Sequence, residues 1–282
     1  MRSIRVRNSK GKEIKLSYQA PFILQKHEFN RGVNIYNNKR MNQDGAAYQG
    51  NTLGVGILTL QFVVIANDKA EMEKNRRLVD EVFNPKLDEL EIIEGGRKLI
   101  AIPEDVPYLI NQYPLELEGI VDLKVHDPYY LDSVGKKAEI AIWRPSFEFP
   151  LDIKSEGIEM GFREPSLIVN ILNEGDVSTG VKIVFKANAT VVNPSLFNVN
   201  AREYFKIEKT LVAGDQVIVT TSFQNKKVKF IQNGITSTLH EWDYQSTFLQ
   251  LEQGDNLFRY DADDGLDNLS VDVYYTQKYL GV

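Results

Sequence analysis

Period-two alternation is the feature that most narrows what this chain can fold into. In PLELEGIVDLKVHDP, residues 114–128, Leu115, Leu117, Val121, Leu123 and Val125 take the odd positions. Glu116, Glu118, Asp122, Lys124 and His126 take the even ones. Successive side chains of a strand point to opposite faces, so this segment reads as a strand with one dry and one wet face. Ile120 is the apolar exception, next to Gly119, a place for a bulge. SIRVR, residues 3–7, alternates in the same way, with Ile4 and Val6 on one face. GILTLQFVVIAN, residues 56–67, places Leu58, Leu60, Phe62 and Val64 on one face and Ile57, Val63 and Ile65 on the other. A strand with two apolar faces is expected to be covered on both sides.

One helix interrupts the strands. NDKAEMEKNRRLVDEVFNP, residues 67–85, opens at Asp68 as N-cap with Glu71 three residues on. Met72, Leu78, Val79, Val82 and Phe83 form a stripe at helical spacing, and Asn84-Pro85 ends it. Strands resume at LDELEII and RKLIAI. Beyond about Ser133 the pattern is of short strands separated by turn signals such as NEGD, AGD, QNG, EQGDN and ADDG, which predicts an antiparallel sandwich. In its last strand Leu269, Val271, Val273 and Tyr275 face inward, and Ser270 and Asp272 outward. The expected fold is mainly β, with an α+β N-terminal domain over residues 1–133 and a β-sandwich over residues 134–282.

Composition removes several function classes. The formal net charge is -6 and there is no long basic run, which disfavours binding nucleic acid through its phosphates. With no cysteine, disulfides, thiolate metal sites and a cysteine nucleophile are excluded. The N-terminal residues lack the apolar core of a signal peptide, and no apolar run reaches the ~20 residues of a membrane helix. The expectation is a soluble protein made in a cytoplasm, with no membrane partner.

The residues that could carry chemistry are few. His126-Asp127 in HDPYY resembles a catalytic dyad, but neighbouring strand residues diverge and Pro128 halts the strand, so a strand end is the preferred reading. His27, His126 and His240 lie far apart, none at metal-ligand spacing to another. DADDGLD gathers Asp261, Asp263, Asp264 and Asp267 around Gly265. Its glycine is one position early for an EF-hand, so a hairpin loop is preferred to a calcium site. Glu116 and Glu118 share a strand face and are the candidate pair for a glycosidase, set against an ordinary wet face. Trp143 and Trp242 could stack on sugar rings, but tryptophan in such a domain is more often core or interface. No G-x-S-x-G, P-loop or H-E-x-x-H motif occurs. No catalytic, cofactor-binding or metal residue is assigned, and no cofactor is expected.

Several stretches in order carry a family resemblance: LTLQFVVIANDKAEMEKNRRLVDEVFNP, LKVHDPYY, GDVSTGVKIVFKANATVVNPSLFN, LVAGDQVIVTT with FIQNG after it, and FLQLEQGDNLFRYDADDGLDNLSVDVYYTQKYLGV. Together they make the chain resemble the distal tail proteins of siphophages, especially those infecting Gram-positive hosts. RMNQDGAAYQGNTLGVG, residues 40–56, fits that pattern only loosely and reads as a loop. The resemblance implies a virion protein rather than an enzyme. It implies a homohexameric ring of N-terminal domains at the tail tip, with galectin-like C-terminal sandwiches projecting outward. The implied partners are the tail tube protein on one side and a tail-associated lysin, tail fibre or receptor-binding protein on the other. The alternative from the residues is a carbohydrate-binding sandwich module.

Overall fold

A computed structural model describes residues 3–42, 44–140, 143–145, 161–163, 168–223 and 225–282. Its backbone divides into two compact units, Met1–Ser133 with Tyr279–Val282, and Val134–Lys278. The C-terminal residues from Tyr279 on thus belong with the first unit.

The first unit holds strands β1 (Ile4–Arg7), β2 (Glu13–Leu16), β3 (Phe22–Asn38) and β4 (Ala47–Ile65), then helix α1 (Lys69–Val82). Strands β5 (Leu90–Glu94), β6 (Arg97–Pro103), β7 (Tyr108–Tyr113), β8 (Glu116–Val125) and β9 (Tyr130–Asp132) follow. The main path of the sheet runs β2-β1-β5-β6-β8-β4-β3. Its ends meet: the Ser17 amide donates to the Phe22 carbonyl at 3.1 Å, and the Leu24 amide to the Ser17 carbonyl at 2.7 Å. The sheet therefore curls into a barrel, and the alternation decides what fills it. Ile4, Val6, Leu58, Leu60, Phe62, Val64, Leu117 and Leu123 are all fully buried in one core.

Helix α1 closes this core with Val79 and Val82, and Phe83 just past its end stacks on Phe62 at 6.1 Å. Its start is local chemistry. The Asp68 carboxylate accepts from the Glu71 amide at 2.8 Å, and the Glu71 carboxylate accepts from the Asn67 amide at 2.8 Å.

Two features of β8 and β4 differ from the sequence expectation. The pairing of β4 with β8 runs without slippage through Gly119, so no bulge forms there. Gly119 lies opposite Phe62, and a Cβ on it would come within 2.6 Å of that ring. The residue is small because the aromatic fills its place. Residues 47–55, expected to be loop, are strand, so β3 and β4 form one long hairpin that outruns the barrel.

The second unit contains β10 (Lys136–Glu139), β11 (Trp143–Pro145), β12 (Gly161–Arg163), β13 (Ile168–Asn173), β14 (Thr179–Ala187), β15 (Val191–Val192), β16 (Ser195–Asn198) and β17 (Glu203–Lys206). These lead to β18 (Thr210–Leu211), β19 (Gln216–Thr220), β20 (Lys227–Gln232), β21 (Ile235–Thr238), β22 (Gln250–Leu251), β23 (Gly254–Asp261) and β24 (Leu269–Tyr275). The closing strand β25 (Lys278–Tyr279) pairs with β9. One sheet runs β10-β24-β14-β19-β20-β21 and the other β13-β23-β16-β17, both antiparallel. They share a core in which Ile183, Phe185, Val217, Val219, Val271 and Val273 of the first sheet meet Ile171, Leu196, Phe205 and Phe258 of the second. As expected, Leu269, Val271 and Val273 point inward, with Tyr275 packed at the margin.

The acidic turn is not a hairpin loop, because β23 and β24 lie in different sheets. DADDGLD crosses between them through a short 3-10 turn at Leu266–Asn268. Gly265 has φ +73, and a Cβ would come within 2.2 Å of the Thr190 carbonyl oxygen, so only glycine fits.

Candidate interaction surface

The long hairpin and the barrel face at its root carry a group of exposed apolar side chains in the first unit. β8 pairs with β4 only from Gly56 to Ile65. Beyond Gly56 the hairpin is a bare two-stranded ribbon, the arm, in which Val33 pairs with Leu53, Ile35 with Asn51, and Asn38 with Ala47. Val33 is 52% exposed and Ile35 59%. Tyr36, Met41, Tyr48 and Val55 are also exposed. Strand edges and apolar side chains left open in this way are the usual signature of a surface covered by another chain.

The arm is held firmly at its base. Phe29 packs edge-on against Tyr130 at 5.8 Å, and the Arg31 guanidinium sits 5.0 Å from the Phe29 ring centre. Arg31 also donates to the Pro128 carbonyl at 3.3 Å. Gly56 lies under Phe29, where a Cβ would come within 2.5 Å of the ring. The role of HDPYY follows from this packing. β8 ends at Val125, His126 and Asp127 are exposed, and Pro128 with Tyr130 forms the seat of the arm. The sequence reading found the strand end and missed the seat. Phe29, Arg31 and Gly56 carry no local signal of this task in the sequence.

Beside the arm, β4, β7 and β8 present an outer face. Opposed positions run Ile57-Lys124-Ile102, Thr59-Asp122, Gln61-Ile120-Tyr108, Val63-Glu118-Ile110 and Ile65-Glu116-Tyr113. This is the second apolar side of GILTLQFVVIAN, and the expectation of cover on both sides holds for only one of them. Val63 is 5% exposed, but Ile57 is 43% and Ile65 40% exposed. Down its middle runs a polar ladder: Thr59 donates to Asp122 at 2.5 Å, Gln61 donates to Glu118 at 2.6 Å, and Lys124 pairs with Glu104 at 2.5 Å.

The candidate chemical groups are not drawn together. Glu116 and Glu118 stand on this open sheet face, with the Glu118 carboxylate engaged by Gln61. His27 is not a surface residue: its ring lies against Glu94, Nε2 to Oε2 3.5 Å, with both side chains over nine-tenths buried. His240 is exposed, its ring 6.0 Å from Trp242. Among the described residues no three His, Asp or Glu side chains gather closely enough to hold a metal ion. In the acidic turn Asp263 binds Lys206 at 2.8 Å and Asn193 at 2.8 Å. Hydrogen bonding from these two, Lys206 first, lowers the pKa of the Asp263 carboxyl. Asp261 and Asp264 accept from the next backbone amide in the chain. These carboxylates serve the turn.

Several aromatics of the sandwich are engaged, although Phe223 and Tyr244 stand exposed. Trp242 packs against the core beside Phe205, at 6.4 Å. Arg259 lies 5.5 Å from the Phe197 ring centre, and the Tyr204 hydroxyl donates to Asp243 at 2.6 Å. The Trp143 side chain lies outside the described residues.

Comparison with known proteins sets this arrangement in a family. A family model described as the phage tail protein RIFT-related domain matches residues 9–112, and one described as the siphovirus-type tail component, C-terminal domain, matches residues 174–279. The chain belongs to the distal tail protein family of siphophages. It is a structural component of a phage tail, in a family not known for enzymes, and its place is the virion. No curated protein sequence matches it. Its fold is similar to the crystal structure of SPP1 Dit, described as a paradigm of the hub adsorption apparatus in phages infecting Gram-positive hosts. The TM-score is 0.67 at 11% identity, over 98% of this chain and 99% of that one. A chain of the phage P2 baseplate in its activated conformation with Ca is similar over the full length of both, with TM-score 0.56 at 9% identity. The same baseplate with Sr gives 0.55 at 9%.

Proposed function

We propose that this protein forms a hexameric ring at the distal end of the tail, joining the tail tube to the tip or baseplate that carries host adsorption. The observation that carries the reading is the succession of two tail-protein domains, matched in chain order over residues 9–112 and 174–279. The first unit, residues 1–133 with the returning C-terminus, makes the ring. The sandwich of residues 134–278 faces the tip proteins: a tail-associated lysin, a fibre or a receptor-binding protein. The chain is made in the bacterial host cytoplasm and works only in the virion.

The physical argument is one of coverage. A single copy leaves the arm and the outer face of β4 and β8 open to water, and neighbouring copies remove that area from solvent at roughly 25 cal/mol per Å2 of apolar surface. No step of chemistry is assigned to any residue. Native mass spectrometry together with negative-stain microscopy of the purified chain tests the reading. The expected result is a six-copy species and annular particles; a species that stays single-copy or stops at two copies up to ~100 µM, above the usual range for a specific contact, overturns it.

A further inference from the structure

We propose that the outer face of the β10-β24-β14-β19-β20 sheet binds a phosphate-bearing polymer, a chain of sugar or polyol units joined by phosphodiesters. The face belongs to the second unit, and its binding does not depend on how many copies assemble. Strand register lays out its side chains. Val181, Ile183 and Phe185 of β14 are buried in the sandwich core, so Lys182, Val184 and Lys186 point outward. The pairings then align one row across five strands: Lys137 of β10, Tyr274 of β24, Lys182 of β14, Thr220 of β19 and Lys227 of β20. The next row holds Glu139, Asp272, Val184, Ile218 and Lys229 in the same strand order. In the third, Lys186 stands between Ser270 and Gln216, with Ile231 beyond. Five lysines thus face two acids, Glu139 and Asp272, in a chain whose net charge is -6.

Like charges on neighbouring positions of a sheet repel, so an uncompensated row needs a reason. Two of the lysines are answered within the face. Asp272 accepts from Lys186 at 2.7 Å and lies 3.2 Å from Lys137, which also pairs with Glu139 at 2.6 Å. Lys182, Lys227 and Lys229 are exposed and have no ion-pair partner among the described residues. Lys182 and Lys137 flank the Tyr274 ring, their ammonium nitrogens 5.3 and 5.7 Å from its centre.

The residue types select the occupant. A carboxylate is best held by the two-pronged guanidinium, whereas an ammonium serves a phosphate oxygen as a point charge. These rows hold five lysines and no arginine, which favours phosphate over an acidic peptide. Successive cations of the first row, Lys137, Lys182 and Lys227, stand two strand spacings apart, about 10 Å. That is the scale of one sugar or polyol with its phosphodiester link, so successive phosphates of an extended polymer meet successive lysines. Between them Tyr274 offers a ring to an apolar sugar face and Thr220 a hydroxyl. Single-stranded nucleic acid shares the phosphate but relies on bases stacked on several aromatic platforms, and Tyr274 is the one aromatic in these rows.

Isothermal titration calorimetry of the full chain with a synthetic oligo(ribitol phosphate) tests the proposal. Binding is expected at low salt and should weaken as salt rises, because bound counterions are released from the polymer. The Lys182→Ala/Lys227→Ala/Lys229→Ala variant should weaken it by about tenfold or more. Lys69→Ala/Lys74→Ala, which removes exposed charge from α1, should leave it within about twofold. Circular dichroism confirms folding. No binding at low salt, or equal loss in the two lysine variants, overturns the proposal. So does equally tight binding of oligothymidine, poly-glutamate or phosphatidylglycerol vesicles, which would give the face to nucleic acid, an acidic partner or a lipid surface instead. The wild-type chain supplies a second measurement: the oligomer should protect Lys182, Lys227 and Lys229, but not Lys69 or Lys74, from acetylation by acetic anhydride. Uniform protection, or none, overturns the proposal. Binding by a single-copy chain would uphold the face even as the ring reading fell.

Discussion

At the residue scale, two glycines of the first unit make room for rings rather than turn the chain. Gly119 gives up its side-chain volume to Phe62, and Gly56 does the same for Phe29. Gly119→Ala should destabilise the first unit by about 1–3 kcal/mol, the usual cost of overpacking a filled core, measured by denaturant unfolding. The second residue-scale prediction concerns acid. Glu91 accepts a hydrogen bond from Arg7 and, at 3.1 Å, another from Lys98. Those bonds, Arg7 first, lower the pKa of its carboxyl. A carboxyl whose pKa is lowered by folding adds stability above its unfolded value of about 4.3, and that contribution disappears as pH falls through the folded value. The stability gap between wild type and Glu91→Gln should therefore be largest near neutrality and close below about pH 4. A gap that persists unchanged in acid would mean the contact works by packing alone.

At the element scale, the arm is the part of the first unit that owes least to the core. Its strands pair with each other and, beyond Gly56, with no other strand among the described residues, while the residues of β3 and β4 nearer the barrel carry Phe22, Leu24, Leu58 and Phe62 into it. Replacing residues 32–55 with an Asn-Gly turn should leave a folded barrel, with an unfolding midpoint within a few degrees of wild type, and abolish assembly. Loss of the barrel's cooperative transition in that variant would show that the arm belongs to the folding unit after all. The helix tells the opposite story: Asp68, Glu71, the apolar stripe and Asn84-Pro85 are local signals, and α1 lies where they place it. The strand at residues 47–55 carries no such signal. AYQGNTLGV has glycines and polar residues at positions a buried strand would fill with apolar ones, because no core lies beneath it.

At the scale of the whole molecule, the two buried clusters share no residue. Calorimetry should resolve two transitions, with Gly119→Ala lowering one and Gly265→Ala, which strains a left-handed turn against Thr190, lowering the other. A single transition moved equally by both would show the units to be thermodynamically one. What the sequence by itself determined is the set of faces: strand alternation and helical spacing are properties of neighbouring residues, so Leu117, Val121, Leu123 and Val125 declare an inward side without reference to anything distant. The family resemblance drew on that same ordered pattern. Only the tertiary structure decided which apolar faces find a partner within the chain. Ile57 and Ile65 alternate as regularly as Leu58 and Val64, yet one pair meets water and the other a packed core. The same holds for β23 and β24, neighbours in sequence that enter different sheets. Burial is settled by strand pairing between distant segments, and no local pattern contains that information.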